Sequence, residues 1–260
     1  MASEDLRSLH IFANELAWQA GRLTMRYFQT GVTAELKADQ SPVTIADREA
    51  ERLMREMIEQ RYPHHSILGE EEGETRPGAS FRWILDPIDG TKSFVAGVPL
   101  YAVLVGIERE GEPVVGAIAL PPLGELISAA QGLGCWCNSR VVRASSTSTL
   151  RDAVISTTDV RDMHRNGKGA AFDALSDRAR MVRGWGDAYG HVLVATGRVD
   201  VMLDALMSPW DCAALVPVLT EAGATFTDWN GQRTIYGGDA ISTNGHVFAE
   251  VMDVIQQHRA

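Results

Sequence analysis

The chain has 260 residues, 45% of them hydrophobic and 22% charged, an ordinary globular composition that argues against disorder or a fibrous repeat. A chain of this length buries roughly three quarters of the surface its unfolded form exposes, so no disulfide or zinc staple is needed. Lys plus Arg number 24 against 34 Asp plus Glu, a net charge of −10. That excess disfavours nucleic acid as the main partner, whereas carboxylates gathered in one cleft recruit hard divalent cations.

Apolar residues Leu9, Phe12, Ala13, Leu16, Ala20, Leu23 and Tyr27 recur at helical spacing and predict a packing helix over residues 6–27. Residues 37–42 read as a polar turn, after which Thr44 caps a second helix through Leu53, Met54, Met57 and Ile58 that stops before Pro63. Strand texture then takes over at 83–85, 101–107 and 114–120, the last two joined by a hairpin at Glu110-Gly111-Glu112-Pro113. Further strands are predicted at 125–130, 153–157, 181–183 and 199–203, and helices at 172–177, 187–196 and 212–221, the last ending at Gly223. Helices and strands interleave without a regular βαβ count. The softest boundary is the Ser/Thr cluster at 145–149, which divides the chain into halves 1–145 and 146–260 of one compact unit. Three cysteines, Cys135, Cys137 and Cys212, odd in number and irregular in spacing, point to a reducing compartment, so a cytoplasmic protein is expected. No window approaches the about 18 apolar residues of a membrane span, and neither membrane insertion nor export is expected.

The most informative segment is Trp83-Ile84-Leu85-Asp86-Pro87-Ile88-Asp89-Gly90-Thr91-Lys92. Pro87 stiffens the turn and removes a donor, which leaves the Ile88 carbonyl available as a ligand beside Asp86 and Asp89. Gly90 permits close backbone approach, and a helical turn opening at Gly90-Thr91 would offer N–H groups to a phosphate. In isolation these dipeptides also suit an ordinary turn in which both aspartates cap the loop. Gly69-Glu70-Glu71-Glu72-Gly73 crowds like charges at a strand end, which a cation offsets unless the loop is simply solvated. Asp211, after Ser208-Pro209-Trp210, and Asp47, after Thr44, each read alone as helix N-terminal acids. The seven histidines form no helical i, i+4 pair and Cys135 and Cys137 lack the usual spacing, so zinc is disfavoured.

Taken in order, these segments resemble the inositol monophosphatase family of Mg²⁺-dependent phosphatases. The resemblance rests on residues 83–95, on Trp210-Asp211-Cys212-Ala213-Ala214 with Glu221-Ala222-Gly223-Ala224, on Gly69-Glu70-Glu71, and on Lys37 with Ser41-Pro42-Val43-Thr44-Ile45-Ala46-Asp47. It implies an α+β fold, a layered αβαβα sandwich, together with a homodimer and two or three Mg²⁺ per subunit. Carried over, Glu70, Asp86 and the Ile88 carbonyl hold the first ion, Asp86, Asp89 and Asp211 the second, and a third shares Glu70. Most ligands then fall in the N-terminal half, and Asp211 with the specificity residues in the other. The implied reaction is direct hydrolysis of a phosphate monoester by a metal-activated water that Glu70 and Thr91 orient or deprotonate. Asp47 supports the Thr91 hydroxyl, and the N–H groups of Gly90 and Thr91 bind phosphate.

Within the family, Arg183-Gly184-Trp185-Gly186-Asp187-Ala188-Tyr189-Gly190 and Leu193-Val194-Ala195-Thr196-Gly197-Arg198 look most like the histidinol-phosphate phosphatase branch, which serves histidine biosynthesis. Asp187 and Asp204 are expected to face the leaving alcohol, where two carboxylates suit a cationic amine and imidazolium better than a ring of hydroxyls. Inositol 1-phosphate is the alternative substrate. A role of another class, an RNA polymerase-associated antitermination cofactor, is disfavoured by the charge of −10 and the absence of a Lys/Arg block. Arg183 and Trp185 themselves read as surface and packing residues, and His191 as a core or surface residue.

Overall fold

The computed structural model describes residues 5–37 and 41–258. Asp5 caps helix α1 (Leu6–Thr24) by accepting the Arg7 N–H at 3.1 Å. Its stripe Leu9, Phe12, Ala13, Leu16 and Ala20 is buried, as the spacing predicts. The helix ends at Thr24, not Tyr27: the Thr24 hydroxyl bonds back to the Gly21 carbonyl at 2.9 Å and also to the Tyr101 hydroxyl at 2.9 Å. Strands β1 (Glu35–Leu36) and β2 (Pro42–Val43) pair antiparallel, and the Lys37 N–H donates to the Ser41 carbonyl at 2.8 Å; residues 38–40 of the turn expected at 37–42 lie outside the described residues. Helix α2 (Ile45–Arg61) opens with a capping box: Asp47 Oδ2 accepts the Thr44 N–H at 2.8 Å, and the Thr44 hydroxyl accepts the Ala46 N–H at 3.1 Å.

The large sheet follows, built from β3 (Ser66–Gly69), β4 (Gly73–Thr75), β5 (Phe81–Asp89), β6 (Ala102–Arg109), β7 (Glu112–Leu120), β8 (Glu125–Ala130), β9 (Cys135–Cys137) and β10 (Arg140–Val141). Its order is β10-β9-β8-β7-β6-β5-β3-β4, antiparallel throughout except for the parallel pair β3–β5. A short helix, α3 (Thr91–Val95), leaves the end of β5. The second sheet contains β11 (Val154–Thr157), β12 (Met181–Arg183), β13 (Val201–Asp204), β14 (Thr225–Thr227) and β15 (Ala240–Thr243) in the order β12-β11-β13-β15-β14. Helices α4 (Val160–Arg165), α5 (Gly169–Arg178), α6 (Asp187–Ala195), α7 (Pro209–Cys212), α8 (Leu215–Glu221) and α9 (Phe248–Gln257) complete the chain.

The layers are the expected αβαβα sandwich of the α+β class. Helices α1 and α2 cover one face of the large sheet around Leu16, Met54, Trp83 and Val105. Helices α6 and α8 fill the space between the sheets around Leu104, Ile118, Val192 and Leu215. Helices α5 and α9 close the outer face of the second sheet around Phe172, Leu203 and Val251. Coverage on both faces explains why β5 and β6 read as continuous apolar runs without alternation.

The helix expected over 212–221 is broken. α7 ends at Cys212 and α8 begins at Leu215, because Pro217 has no N–H to give the Ala213 carbonyl and its ring crowds that position. The break lies directly on the large sheet. A Cβ on Gly106 would come within 2.6 Å of the Ala213 Cβ, and one on Gly116 within 2.1 Å of the Ala214 carbonyl oxygen. Two bare positions on β6 and β7 therefore let the segment carrying Asp211 settle against the strands. No described helix is long and apolar enough to cross a membrane.

Candidate active site

The parallel register of β3 and β5 pairs Gly69 with Leu85, and the Glu70 N–H donates to the Leu85 carbonyl at 3.2 Å. Glu70, just past the end of β3, is thus set beside Asp86 of β5. Between Asp86 and Asp89 the β5–β6 register shifts, from Asp86 opposite Leu104 to Asp89 opposite Ala102. In a regular strand residues three apart point to opposite faces; the extra residue of this bulge, at Pro87-Ile88, turns both aspartates to one side. Asp86 Oδ1 also accepts the Ile88 N–H at 3.0 Å, so the turn contact coexists with the convergence. Asp211 does two things at once as well: Oδ2 accepts the Ser208 N–H at 2.6 Å as a cap, while the carboxylate joins the cluster.

Carboxylate oxygens of Asp86, Asp89 and Asp211 all lie within 4.8 Å of one another. Burial first, then the charges of Glu70, Asp89 and Asp211, push the Asp86 carboxyl well up. Burial and the charges of Asp187 and Asp211 do the same to Asp89. Asp211 is pushed up to about 7 by burial, with Glu70 adding to the effect. Carboxyls this close hold protons unless another cation replaces them. The donors are all carboxylate oxygens, the set that suits a hard divalent cation such as Mg²⁺. Cys212, the nearest thiol in sequence, is buried and held protonated, its pKa raised well up by burial and then by Asp211.

Glu70 stands beside this triad with its carboxylate turned to Lys37. The Lys37 ammonium donates to Glu70 Oε1 at 2.7 Å and to Glu71 Oε1 at 2.6 Å. Burial alone would lower the Lys37 pKa, but the two glutamates more than offset it and the net shift is upward. The expected contact between Asp47 and Thr91 is not made. The capping box ties Asp47 Oδ2 to the Thr44 N–H and hydroxyl, and Oδ1 is buried without a partner. The Thr91 hydroxyl donates instead to the Ile88 carbonyl at 3.0 Å. Burial, against the Thr44 bonds, pushes Asp47 up to about 6. Gly90 precedes α3 with φ 81°, the left-handed turn that favours glycine, and the first bond of that helix is Phe94 N–H to Gly90 O at 3.0 Å.

Asp89 Oδ2 accepts the Ala188 N–H at 2.6 Å, which brings the start of α6 to the end of β5. Asp187 adopts φ 55°, with its N–H donated to the Thr158 hydroxyl at 2.7 Å, and burial together with Asp204 pushes its carboxyl up to about 6. His191 is a core residue, bonded to Ser242 Oγ at 2.7 Å and to Asp204 Oδ2 at 3.0 Å. Trp185 packs against the central core and Arg183 is exposed, as expected.

A cavity of about 90 Å³ adjoins the triad. Its ten lining residues include six aspartates, Asp89, Asp159, Asp162, Asp187, Asp204 and Asp211, and no base. Sequence reading found four of these. Asp159 and Asp162 sit at the start of α4, where Asp159 Oδ1 caps the Arg161 N–H at 2.7 Å, and their pattern signals only a helix start. A larger cavity of about 780 Å³ between α1 and β7 to β9 shares no residue with this one and contains no acidic cluster.

Comparison with known proteins agrees with this geometry. The model of the inositol monophosphatase family matches residues 5–259. A histidinol-phosphatase from Chlorobaculum parvum is 43% identical, covering 88% of this chain and 89% of that one. Another from Mycobacterium tuberculosis is 36% identical, covering 97% and 98%. The solved structure of an inositol monophosphatase from Zymomonas mobilis superposes with a TM-score of 0.85 at 32% identity, covering 96% of this chain and 98% of that one. With the fold, the acidic triad and the whole-length match in agreement, the chain belongs to the inositol monophosphatase family and is a phosphoric monoester hydrolase.

Proposed function

We propose that the chain hydrolyses histidinol phosphate, the phosphate monoester of a cationic amino alcohol, with Mg²⁺ held by Glu70, Asp86, the Ile88 carbonyl, Asp89 and Asp211. The observation that carries the substrate reading is the cavity walled by six aspartates and no base beside the triad. An amine and an imidazolium gain charge-assisted hydrogen bonds from such walls, whereas a neutral polyol gains only ordinary ones. The names of the two histidinol-phosphatase relatives support the same reading.

Glu70, Asp86 and the Ile88 carbonyl would take the first ion, Asp86, Asp89 and Asp211 the second, and a third would share Glu70. Bound there, the ions supply Lewis acidity for the attacking water and for the leaving oxygen. Glu70 would orient that water and take its proton, and the Thr91 hydroxyl would help to orient it. Gly90 and Thr91 offer their N–H groups to the phosphate, and Asp187 and Asp204 face the leaving alcohol. Asp47, its pKa raised by burial and further by Glu71 and Glu70, would add its charge to theirs. The halves 1–145 and 146–260 divide this labour, ion binding chiefly in the first and Asp211 with substrate choice in the second. The enzyme is assigned to the cytoplasm as a homodimer, a setting compatible with three buried free cysteines.

The deciding experiment is phosphate release with Mg²⁺ from histidinol phosphate, inositol 1-phosphate and fructose 1,6-bisphosphate side by side. A kcat/KM at least about tenfold higher for histidinol phosphate is expected, equivalent to about 1.4 kcal/mol. Preference for inositol 1-phosphate would make the enzyme an inositol-1-monophosphatase, a reading supported by the ability of Asp204 to accept hydroxyls and by the name of the Zymomonas mobilis relative. An antitermination role finds no basic block in a chain of charge −10.

A further inference from the structure

We propose that Glu51 is the positioning residue of the Glu70 loop: its buried carboxylate grips the two N–H groups that follow Glu70 and so fixes where Glu70 stands relative to Asp86. Glu51 lies on α2, one turn after Asp47 and remote in sequence from the acids of the triad, and its side chain is fully buried. Glu51 Oε2 accepts the Glu71 N–H at 2.8 Å, and Oε1 accepts the Glu72 N–H at 3.0 Å. A carboxylate at such depth needs a counter-charge, and Arg55, one turn on, supplies it with Nε 2.8 Å from Oε1. The same guanidinium donates to the Gly73 carbonyl. One turn of α2 therefore holds the loop from both ends, by its N–H groups at 71 and 72 and by its carbonyl at 73.

Gly69 explains the motif that precedes Glu70. A Cβ there would lie 2.2 Å from Glu51 Oε1, so the carboxylate occupies the volume that any side chain at 69 would need. The Gly-Glu-Glu sequence is thus the visible part of a longer unit whose hidden member is Glu51. Glu70 is clamped between a strand contact on one side, its N–H on Leu85, and the Glu51 grip on the other. Partners that orient metal ligands in this way commonly change metal affinity by about 10–100-fold when lost.

The inference rests on the reading of Glu70 as a Mg²⁺ ligand, and the test separates the two. Mg²⁺ is titrated calorimetrically into the full chain after chelator treatment, for the unaltered protein, Glu51→Gln and Glu51→Asp. The carboxamide offers one acceptor where two are used, so Glu51→Gln should bind Mg²⁺ about 10–100-fold more weakly, with kcat recovering as Mg²⁺ is raised. Glu51→Asp, which keeps both acceptor oxygens, should recover part of the affinity. Unchanged affinity in a folded Glu51→Gln overturns the proposal. Amide hydrogen exchange on the unaltered, ion-free protein decides the matter even where the variant does not fold. The Glu71 and Glu72 amides should then exchange as slowly as those of β3, and exchange at the rate of an open loop overturns it. Absence of Mg²⁺ binding by the unaltered protein would remove the metal reading, while the exchange of these two amides would still decide whether Glu51 holds the loop.

Discussion

Asp89 Oδ2 accepts the Ala188 N–H at 2.6 Å, so one oxygen of a proposed metal ligand ties the end of β5 to the start of α6. The two duties can be separated. In Asp89→Asn the amide oxygen can keep the Ala188 bond while the ligand charge is lost; in Asp89→Ala both go. Both variants should lose at least about 100-fold in kcat, a loss equivalent to about 2.7 kcal/mol. Thermal unfolding should show Asp89→Ala less stable than Asp89→Asn by about 1–3 kcal/mol, the cost of leaving the buried Ala188 N–H without an acceptor. Equal stabilities would show that the Ala188 contact contributes nothing.

Crowding in the triad makes the stability of the ion-free protein depend on pH. The folded state raises Asp211 from 3.8 to about 7 and raises Asp86 and Asp89 as well, so it binds more protons than the unfolded state. The stabilising protons are therefore lost as pH rises toward 7. With chelator present, the melting temperature should fall between pH 5 and pH 8. Mg²⁺ at 100 times its Kd should add about 2.7 kcal/mol at pH 8, and less at pH 5, where protons compete. A melting temperature independent of pH and of Mg²⁺ would contradict the cluster as an ion site.

Asp86→Asn removes one of the charges from the centre of the triad without changing its volume. Turnover should fall below detection while the circular dichroism spectrum and the ion-free melting temperature match or exceed those of the unaltered chain. Near-normal activity would count against the proposed ligand set.

Asp187 tests the charge argument for substrate choice. Its carboxyl makes contact with the cavity while its backbone is fixed by the Thr158 hydroxyl at 2.7 Å. Asp187→Ala should lower kcat/KM for histidinol phosphate by about tenfold or more, about 1.4 kcal/mol, and affect inositol 1-phosphate far less. An equal loss on both substrates would eliminate charge as the discriminator.

Gly116 carries a purely steric prediction. A methyl group there would meet the Ala214 carbonyl oxygen at 2.1 Å, so Gly116→Ala must push the α7–α8 segment off the sheet. The expected cost is about 1–3 kcal/mol. The Mg²⁺ concentration for half-maximal activity should rise too, because Asp211 moves with that segment. A melting temperature and Mg²⁺ requirement like those of the parent would show that the contact yields easily.

Much of this architecture is readable from residue order because its signals are local. The α1 stripe is a single-face pattern, the Thr44 cap lies three residues from Asp47, and the Asp-Pro-Ile-Asp-Gly run announces a kinked strand end rich in oxygen. What escapes detection depends on distance or on context. β14 and β15 are three and four residues long and contain small or polar residues, and only their neighbours bury them. The α7–α8 break follows from Pro217, whose effect is felt one turn earlier at Ala213. Asp159 and Asp162 look like helix-start acids and become part of a cavity wall only when α4 is set opposite β13. The Asp47–Thr91 pairing, carried over from the resemblance, gives way to two local bonds within the capping box.

The three clustered aspartates come from positions 86, 89 and 211 of the chain, and the last arrives on a segment pressed against strands made long before it. During synthesis, a nascent chain that has delivered only the large sheet to the ribosome exit lacks the residue that completes the cage. On the proposed ligand set, tight capture of an ion would begin late, after most of the polypeptide has emerged, and the phosphatase chemistry would be acquired only as the final layers close.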